Sequence, residues 1–189
     1  MKRNNSILLA AGLVFIGAAS RIVNLEMSLF NLAPVAAIAL FSGAVIKDKR
    51  LSFIVPLLSL LVADIYIELF SSIMSGFYGI QQLFVYMAMA LITLVGTRMK
   101  NMEDSKPAAY TMNVLGFSLT SSALFFIVSN FGSFLYGMYG MDLNGLITTY
   151  VMAIPFYQKS FASDMIGSGL FFGAYYMVQK AMLARTQRA

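Results

Sequence analysis

The sequence predicts an all-α fold: a polytopic membrane helix bundle of about six transmembrane helices plus a half-buried outer-leaflet helix, with both termini cytoplasmic. Hydrophobic residues make up 59% of the 189 residues and charged residues only 11%, a composition typical of membrane proteins. Clusters of Lys and Arg are separated by long apolar stretches. Because cytoplasmic loops of membrane proteins are rich in Lys and Arg, these clusters also predict which helix ends lie inside.

Six stretches of the sequence meet or approach the length of about 20 apolar residues that a helix needs to cross a bilayer. The first follows two basic residues and resembles a signal peptide, but we expect a retained helix, because an even number of spans places both termini inside. The second is short and has Pro34 in its first turn, where Pro is tolerated. The predicted spans of this single membrane domain, residues 1–189, are 6–23, 31–46, 51–70, 80–97, 109–130 and 160–182.

The segment 143–157 is apolar, but it is too short to span a bilayer and contains Pro155. A seventh span here would also place the basic C-terminus on the outer side. We therefore expect this segment to form a separate half-buried helix that lies in the outer leaflet or re-enters it.

The positive charges lie on one predicted side of the membrane. Of the 13 Lys and Arg, only Arg21 and Lys159 fall on the outer side. The net charge of +5 does not indicate a nucleic-acid partner, since the basic residues flank apolar spans and form no amphipathic basic face. The inner clusters are Lys2 and Arg3; Lys47, Lys49 and Arg50; Arg98, Lys100 and Lys106; and Lys180, Arg185 and Arg188.

The residue types that the sequence lacks exclude several kinds of chemistry. The chain contains no Cys and no His, so disulfides, thiol nucleophiles, His-based triads and the usual structural zinc ligands are absent. We expect no metal site and no cofactor. The Gly-rich phosphate-binding motif is missing too, so active transport would draw energy from a partner or a gradient. An enzyme that uses Asp64, Glu68 and Asp164 as acid–base groups is the weakest hypothesis.

Polar residues inside membrane spans are costly and need a reason, and here they gather at one depth in the outer half. This layer predicts a polar cavity that opens to the outside. The alternative is an internal ion-pair cluster, Arg21 with Asp64 or Asp164, that fixes the register of the helices. Two carboxylates with one Arg would leave one charge uncompensated. The predicted ligand-binding residues are Arg21, Asn31, Asp64, Glu68, Gln82, Asn130, Tyr150 and Asp164.

The sign of the ligand's charge stays open at the level of the sequence. Three predicted helices begin at the outer face, and their dipoles favour anionic groups there. Acidic residues nevertheless outnumber basic ones in the outer half. Tyr150 belongs to a group of aromatic residues that would either stack on a planar ligand or form an interfacial aromatic belt.

Several stretches resemble an uncharacterised bacterial membrane family described as transport proteins. They are NLAPVAAIALFSG (31–43), the region from Pro56 to Asp64, the region from Ser121 to Gly132, and the region from Gly145 to Asp164. The matching positions are Asn31, Pro34, Asp64, Asn130, Gly132, Pro155 and Asp164. That family in turn resembles the substrate-binding S components of energy-coupling-factor (ECF) vitamin transporters.

The resemblance implies six helices around an outward-facing pocket for a vitamin or cofactor precursor, in the bacterial cytoplasmic (inner) membrane. It also implies uptake with an ECF-type T subunit and paired ATPases as partners. The sequence departs from this pattern at Ser6-x-x-x-Ala10, where S components often carry Ala-x-x-x-Ala, and at Ser133, where the family often has Trp. A membrane scaffold subunit without transport activity is the alternative function.

Overall fold

A computed structural model describes residues 3–29, 31–99 and 106–186, and all the regular secondary structure in these residues is helical. The all-α prediction is confirmed for this part of the chain. Lys2, Lys100 and Arg188 of the predicted basic clusters lie outside the described residues. The helices are α1 (Arg3–Glu26), α2 (Val35–Val45), α3 (Lys49–Phe70), α4 (Ile80–Gly96), α5 (Pro107–Leu135) and α6 (Leu143–Thr186).

Three of the helices are long and apolar enough to cross a membrane: Ser6–Glu26 of α1, Lys49–Phe70 of α3 and Pro107–Leu135 of α5. α2 and α4 are apolar but shorter, with 11 and 17 residues. Many large apolar side chains are exposed on the outer faces of the bundle, as expected where lipid replaces water. The count of six crossings and the cytoplasmic termini stay predictions.

α2 is the central helix of the bundle. It contacts each of the other five helices, and its residues from Ala36 to Phe41 are at most 4% exposed. A helix that is apolar on all sides must be buried, which explains why this run of Ala, Ile and Leu lies in the middle. The remaining main contacts are α1 with α3, α4 with α5, and α5 with α6.

α2 and α4 approach each other closely through two glycines. A β-carbon at Gly43 would overlap the carbonyl oxygen of Thr93, and one at Gly96 would overlap that of Leu40. Only Gly lets two helix backbones come this close, and small residues serve this purpose at many membrane helix interfaces. The crossing holds α4 against the central helix.

The helices α1 and α3 run in the same direction. Along α1 and α3, Gly17 lies against Ser59, and Arg21 pairs with Asp64 further along both helices. The end of α2 lies beside the start of α3 through Ser42 and Ser52, and the end of α3 lies beside the start of α4 through Asp64 and Gln82, so these successive helices are antiparallel. The C-terminal ends of α1 and α3 therefore lie at the same end of the bundle.

The prediction of a separate helix over residues 143–157 is wrong. These residues are the beginning of α6, a continuous helix of 44 residues that includes Pro155. At 1.5 Å per residue, α6 is about 66 Å long. Pro and the polar residues around Lys159 interrupt the apolar pattern, but a Pro inside a helix removes one hydrogen bond without having to end the helix.

The first part of α6 packs antiparallel to the C-terminal half of α5. The Tyr150 hydroxyl donates a hydrogen bond to the Ile127 carbonyl oxygen at 2.7 Å. The rings of Phe126 and Tyr157 lie with their centroids 4.6 Å apart. These contacts stabilise residues 143–157 as a partner of α5.

α2 begins deep inside the bundle. Pro34, which precedes its first residue, packs against Gly167 of α6, and the neighbouring Ser168 hydroxyl contacts Ser118 of α5. Ser118 comes well before the end of α5 at Leu135. The loop between α1 and α2 must therefore descend into the bundle, which accounts for the short length of α2.

Candidate functional site

A cavity of about 290 Å³ lies at the N-terminal end of α2 and is lined by residues of all six helices. Its apolar walls include Val85, Met89 and Phe125. A mostly apolar pocket with a few convergent polar groups is the usual form of a small-molecule site. The polar lining consists of Arg21, Asn24, Asn31, Tyr78, Ser160 and Asp164.

Arg21 reaches the cavity from α1 and forms an ion pair with Asp64 of α3. Its guanidinium Nη2 lies 2.6 Å from Asp64 Oδ1. The Arg21 side chain is 20% exposed, whereas Asp64 is fully buried behind it. Arg21 also donates a 3.5 Å hydrogen bond to the hydroxyl of Tyr78 in the α3–α4 loop. The arginine thus faces the cavity with its charge already paired.

The second carboxylate oxygen of Asp64 is held by α4. Gln82 Nε2 donates to Oδ2 at 2.7 Å and the Tyr86 hydroxyl donates to it at 2.8 Å. Gln82 also donates to the Gly76 carbonyl oxygen at 3.2 Å. Charge pairing with two added hydrogen bonds is what makes a buried carboxylate tolerable. Asp64 and Gln82 therefore support Arg21 and do not line the cavity.

Asp164 enters the cavity from α6 and is 4% exposed. Its Oδ1 accepts a 3.3 Å hydrogen bond from the backbone N–H of Ala37. Pro34 at the N-cap of α2 supplies no side-chain cap, so Asp164 takes that role from a distant helix. In the described part of the chain, no Lys or Arg forms an ion pair with Asp164.

The α1–α2 loop forms one wall of the cavity. With the Asn24 amide oriented to suit its neighbours, its oxygen accepts from the N–H groups of Leu32 and Ala33, and its nitrogen donates to the Leu29 carbonyl oxygen. The Ser163 hydroxyl donates to the Leu32 carbonyl oxygen. Asn31 lines the cavity from this loop with φ +67°, a left-handed conformation that Asn tolerates better than most residues.

Glu68, a predicted site residue, lies outside the cavity and shapes a loop. Its Oε2 accepts hydrogen bonds from the Ser75 hydroxyl at 2.8 Å, the Gly76 N–H at 2.9 Å and the Phe77 N–H at 3.3 Å. Gly76 fits there because it lies directly against the Asp64 carbonyl oxygen. Glu68 therefore fixes the α3–α4 loop that carries Tyr78.

Two other predicted site residues also lie away from the cavity. The Asn130 amide donates to the Phe126 carbonyl oxygen of its own helix at 2.8 Å. Tyr150 is used in the contact between α5 and α6. Of the eight predicted residues, the structure thus brings Arg21, Asn31 and Asp164 to the cavity, with Asp64 and Gln82 behind Arg21.

The sequence prediction missed four polar residues of the site. Asn24 lies three residues after Arg21, and Tyr86 lies four residues after Gln82, so helical spacing would have found both. Ser160 lies four residues before Asp164 on α6. Tyr78 lies in a loop, and no periodic pattern points to it.

A larger groove runs along the outside of the bundle between α1 and α6, which do not pack against each other in the described residues. It has a volume of about 680 Å³ and is lined mainly by apolar side chains such as Leu13, Phe41 and Phe171. Its lining differs from that of the interior cavity, where several polar groups converge. We therefore take the smaller cavity as the candidate site.

The model of a family of unknown function (DUF6580) matches residues 1–186, so the chain belongs to that family. No curated protein and no solved structure matches the chain.

Proposed function

We propose that this member of the DUF6580 family is a membrane transport protein that binds a small molecule in the cavity at the N-terminal end of α2. The observation that carries the proposal is the convergence of Arg21, Asn31 and Asp164 on one cavity inside an apolar helix bundle. Buried polar groups in such a bundle are costly, and in membrane proteins they mark substrate pathways and binding sites.

The size of the cavity favours a small ligand. Its volume of about 290 Å³ lies at the lower end of the roughly 300–1,000 Å³ that is typical of small-molecule pockets. A compound the size of a small vitamin or a cofactor precursor would fill it. Val85, Met89 and Phe125 would bury the apolar part of such a ligand, while the polar groups would orient it.

We further propose uptake in the manner of an ECF S component, energised by partner subunits. The sequence resemblance supports this proposal, and so does the missing phosphate-binding motif, since the chain then needs an outside energy source. The proposed location is the bacterial cytoplasmic membrane, with the cavity opening to the outer side. In this proposal Arg21, Asn31 and Asp164 contact the ligand, and Asp64 and Gln82 hold Arg21 in place.

Native mass spectrometry of the purified protein tests the proposal. We expect a small molecule that stays bound after purification. Replacement of Ala33 by Trp would fill the cavity and should remove the bound molecule. Leu29→Trp, in the same loop but 42% exposed and outside the cavity, is the matched control and should keep it. A bound molecule that survives Ala33→Trp would refute the assignment of the cavity.

The alternative is a membrane scaffold subunit without transport activity. The apolar groove between α1 and α6 favours it, because these two helices leave it open and do not pack against each other in the described residues. A scaffold would co-purify with one protein in fixed stoichiometry, and Ala33→Trp would leave that complex intact. A transport protein would instead show the cavity-dependent ligand described above.

A further inference from the structure

We infer that the cavity takes a ligand with a positively charged nitrogen, and that Asp164 pairs with that nitrogen. The inference rests on the proposed function, because it names the chemical class of the ligand for the same cavity. It follows from a comparison of the two charged groups at the cavity, one of which has an oppositely charged partner and one of which does not.

Arg21 does not demand an anionic ligand. Its guanidinium lies 2.6 Å from a carboxylate oxygen of the fully buried Asp64. Gln82 and Tyr86 complete the hydrogen bonds of that carboxylate from the other side. An anion arriving at Arg21 would compete with an internal partner that is already desolvated and fixed in position. The pair therefore contributes little net charge to the cavity.

Asp164 is the ionisable group of the lining that has no such partner. It is 4% exposed, and among the described residues it accepts from backbone N–H groups at the start of α2, those of Ala37 and Ala36. The positive end of a helix dipole amounts to roughly half an elementary charge, so it offsets only part of a carboxylate charge. A buried carboxylate without a counter-charge tends to take up a proton, whereas a cationic ligand beside it would keep it ionised and pair with it.

The apolar lining is also suited to a cation. Tyr78 and Phe125 line the same cavity as Asp164. Aromatic rings attract cations through their negative faces, most strongly where water is excluded. The capping role of Asp164 does not by itself require a charge, since an Asn or Ser oxygen caps a helix about as well as a carboxylate.

Three probes of similar size test the sign of the charge: benzylamine, benzyl alcohol and benzoate. Binding to the full chain in nanodiscs would be measured by ligand-observed NMR, with empty nanodiscs subtracted. We expect benzylamine to bind most tightly and benzoate most weakly. Asp164→Asn keeps an oxygen for the Ala37 N–H but removes the charge, so benzylamine should bind about tenfold more weakly or worse, with benzyl alcohol unchanged.

The matched control is Asp142→Asn. Asp142 also accepts a helix N-terminal hydrogen bond, from the Gly145 N–H at 2.7 Å, but it does not line the cavity. This variant should bind all three probes like the wild type. Ser160→Lys is the second test, and it can be read even if Asp164→Asn does not fold. It places a cation four residues before Asp164 and should abolish benzylamine binding.

The outcomes separate the inference from the proposed function. Benzoate binding as tightly as benzylamine, or benzylamine binding unchanged by Asp164→Asn or Ser160→Lys, would overturn the inference and leave the cavity as a binding site. Binding of none of the three probes, together with no retained molecule in native mass spectrometry, would overturn the proposed function itself.

Discussion

The guanidinium of Arg21 and the carboxylate of Asp64 form an ion pair at 2.6 Å that joins α1 to α3 beside the cavity. Asp64 is fully buried, while Arg21 keeps one-fifth of its side chain exposed. Arg21 therefore belongs both to an internal brace and to the cavity wall. The two hypotheses that the sequence left open for these residues, bracing and ligand binding, are compatible in this geometry.

Removing one partner of this pair should destabilise the protein strongly. Asp64→Ala leaves the Arg21 charge, the Gln82 amide and the Tyr86 hydroxyl without their common acceptor, and we expect a loss of about 3–5 kcal/mol in the free energy of unfolding. Chemical denaturation in detergent micelles measures it. The double variant Arg21→Met with Asp64→Ala should be more stable than Asp64→Ala alone. A double variant with a still lower free energy of unfolding would contradict the pairing.

The cap that Asp164 supplies to α2 should be measurable apart from its charge. Asp164→Ala removes the acceptor of the Ala37 N–H and should cost about 0.5–2 kcal/mol of stability. Asp164→Asn retains an oxygen and should recover most of that loss. Amide hydrogen exchange at Ala37 should rise in the Ala variant and stay near the wild-type rate in the Asn variant. Equal exchange in both variants would show that the cap does not protect α2.

The crossing of α2 and α4 should tolerate no side chain at Gly43. In Gly43→Ala the new β-carbon meets the Thr93 carbonyl oxygen, so the helices must separate, at an expected cost of about 1–3 kcal/mol. Gly169→Ala is the matched control in α6, because no neighbouring atom lies within 4 Å of the added β-carbon. The control should leave stability unchanged or raise it slightly, since Ala favours helices. Equal melting temperatures for the two variants would contradict the packing.

Asn24 should govern the order of the α1–α2 loop. Asn24→Ala removes the acceptor for the Leu32 and Ala33 N–H groups, and we expect faster hydrogen exchange at both positions with little change elsewhere. Asn130→Ala is the control, because that amide donates within its own helix and does not line the cavity. Unchanged exchange at Leu32 and Ala33 would mean that other contacts, such as Ser163 with the Leu32 carbonyl, hold the loop.

The predicted membrane topology can be tested with single cysteines, because the chain contains none. Met141→Cys lies in the exposed loop between α5 and α6 and should react with a membrane-impermeant maleimide in intact cells. Lys49→Cys, at the exposed start of α3, should react only after the membrane is permeabilised. The reverse pattern would invert the orientation and place the cavity on the inner side.

Hydropathy predicted the bounds of a helix well where one apolar run corresponds to one helix. The predicted span 80–97 is α4 (Ile80–Gly96) to within one residue, and 51–70 lies within α3 (Lys49–Phe70). The method divided α6 because Pro155 and Lys159 interrupt its apolar pattern although the backbone stays helical. Hydropathy reports how apolar a stretch of sequence is, and α6 contains both apolar and polar stretches within one continuous helix.

The sequence predicted how far along each helix the site residues lie, but not which way their side chains point. The predicted outer layer includes Arg21, Asp64 and Asp164, and the structure places all three at the cavity or next to it. It also included Asn130, whose amide turns back to its own helix, and Glu68, whose carboxylate binds a loop. Depth follows from counting residues along a helix, whereas the direction of a side chain depends on how each helix is rotated against its neighbours.

The packed helix α2 closes the cavity on one side. All residues of α2 except Val35 and Ala44 are buried, so about 16 Å of packed helix separates a bound molecule from the opposite end of the bundle. The proposed transport across the membrane would therefore require the helices to part around α2, or the whole molecule to turn within the bilayer.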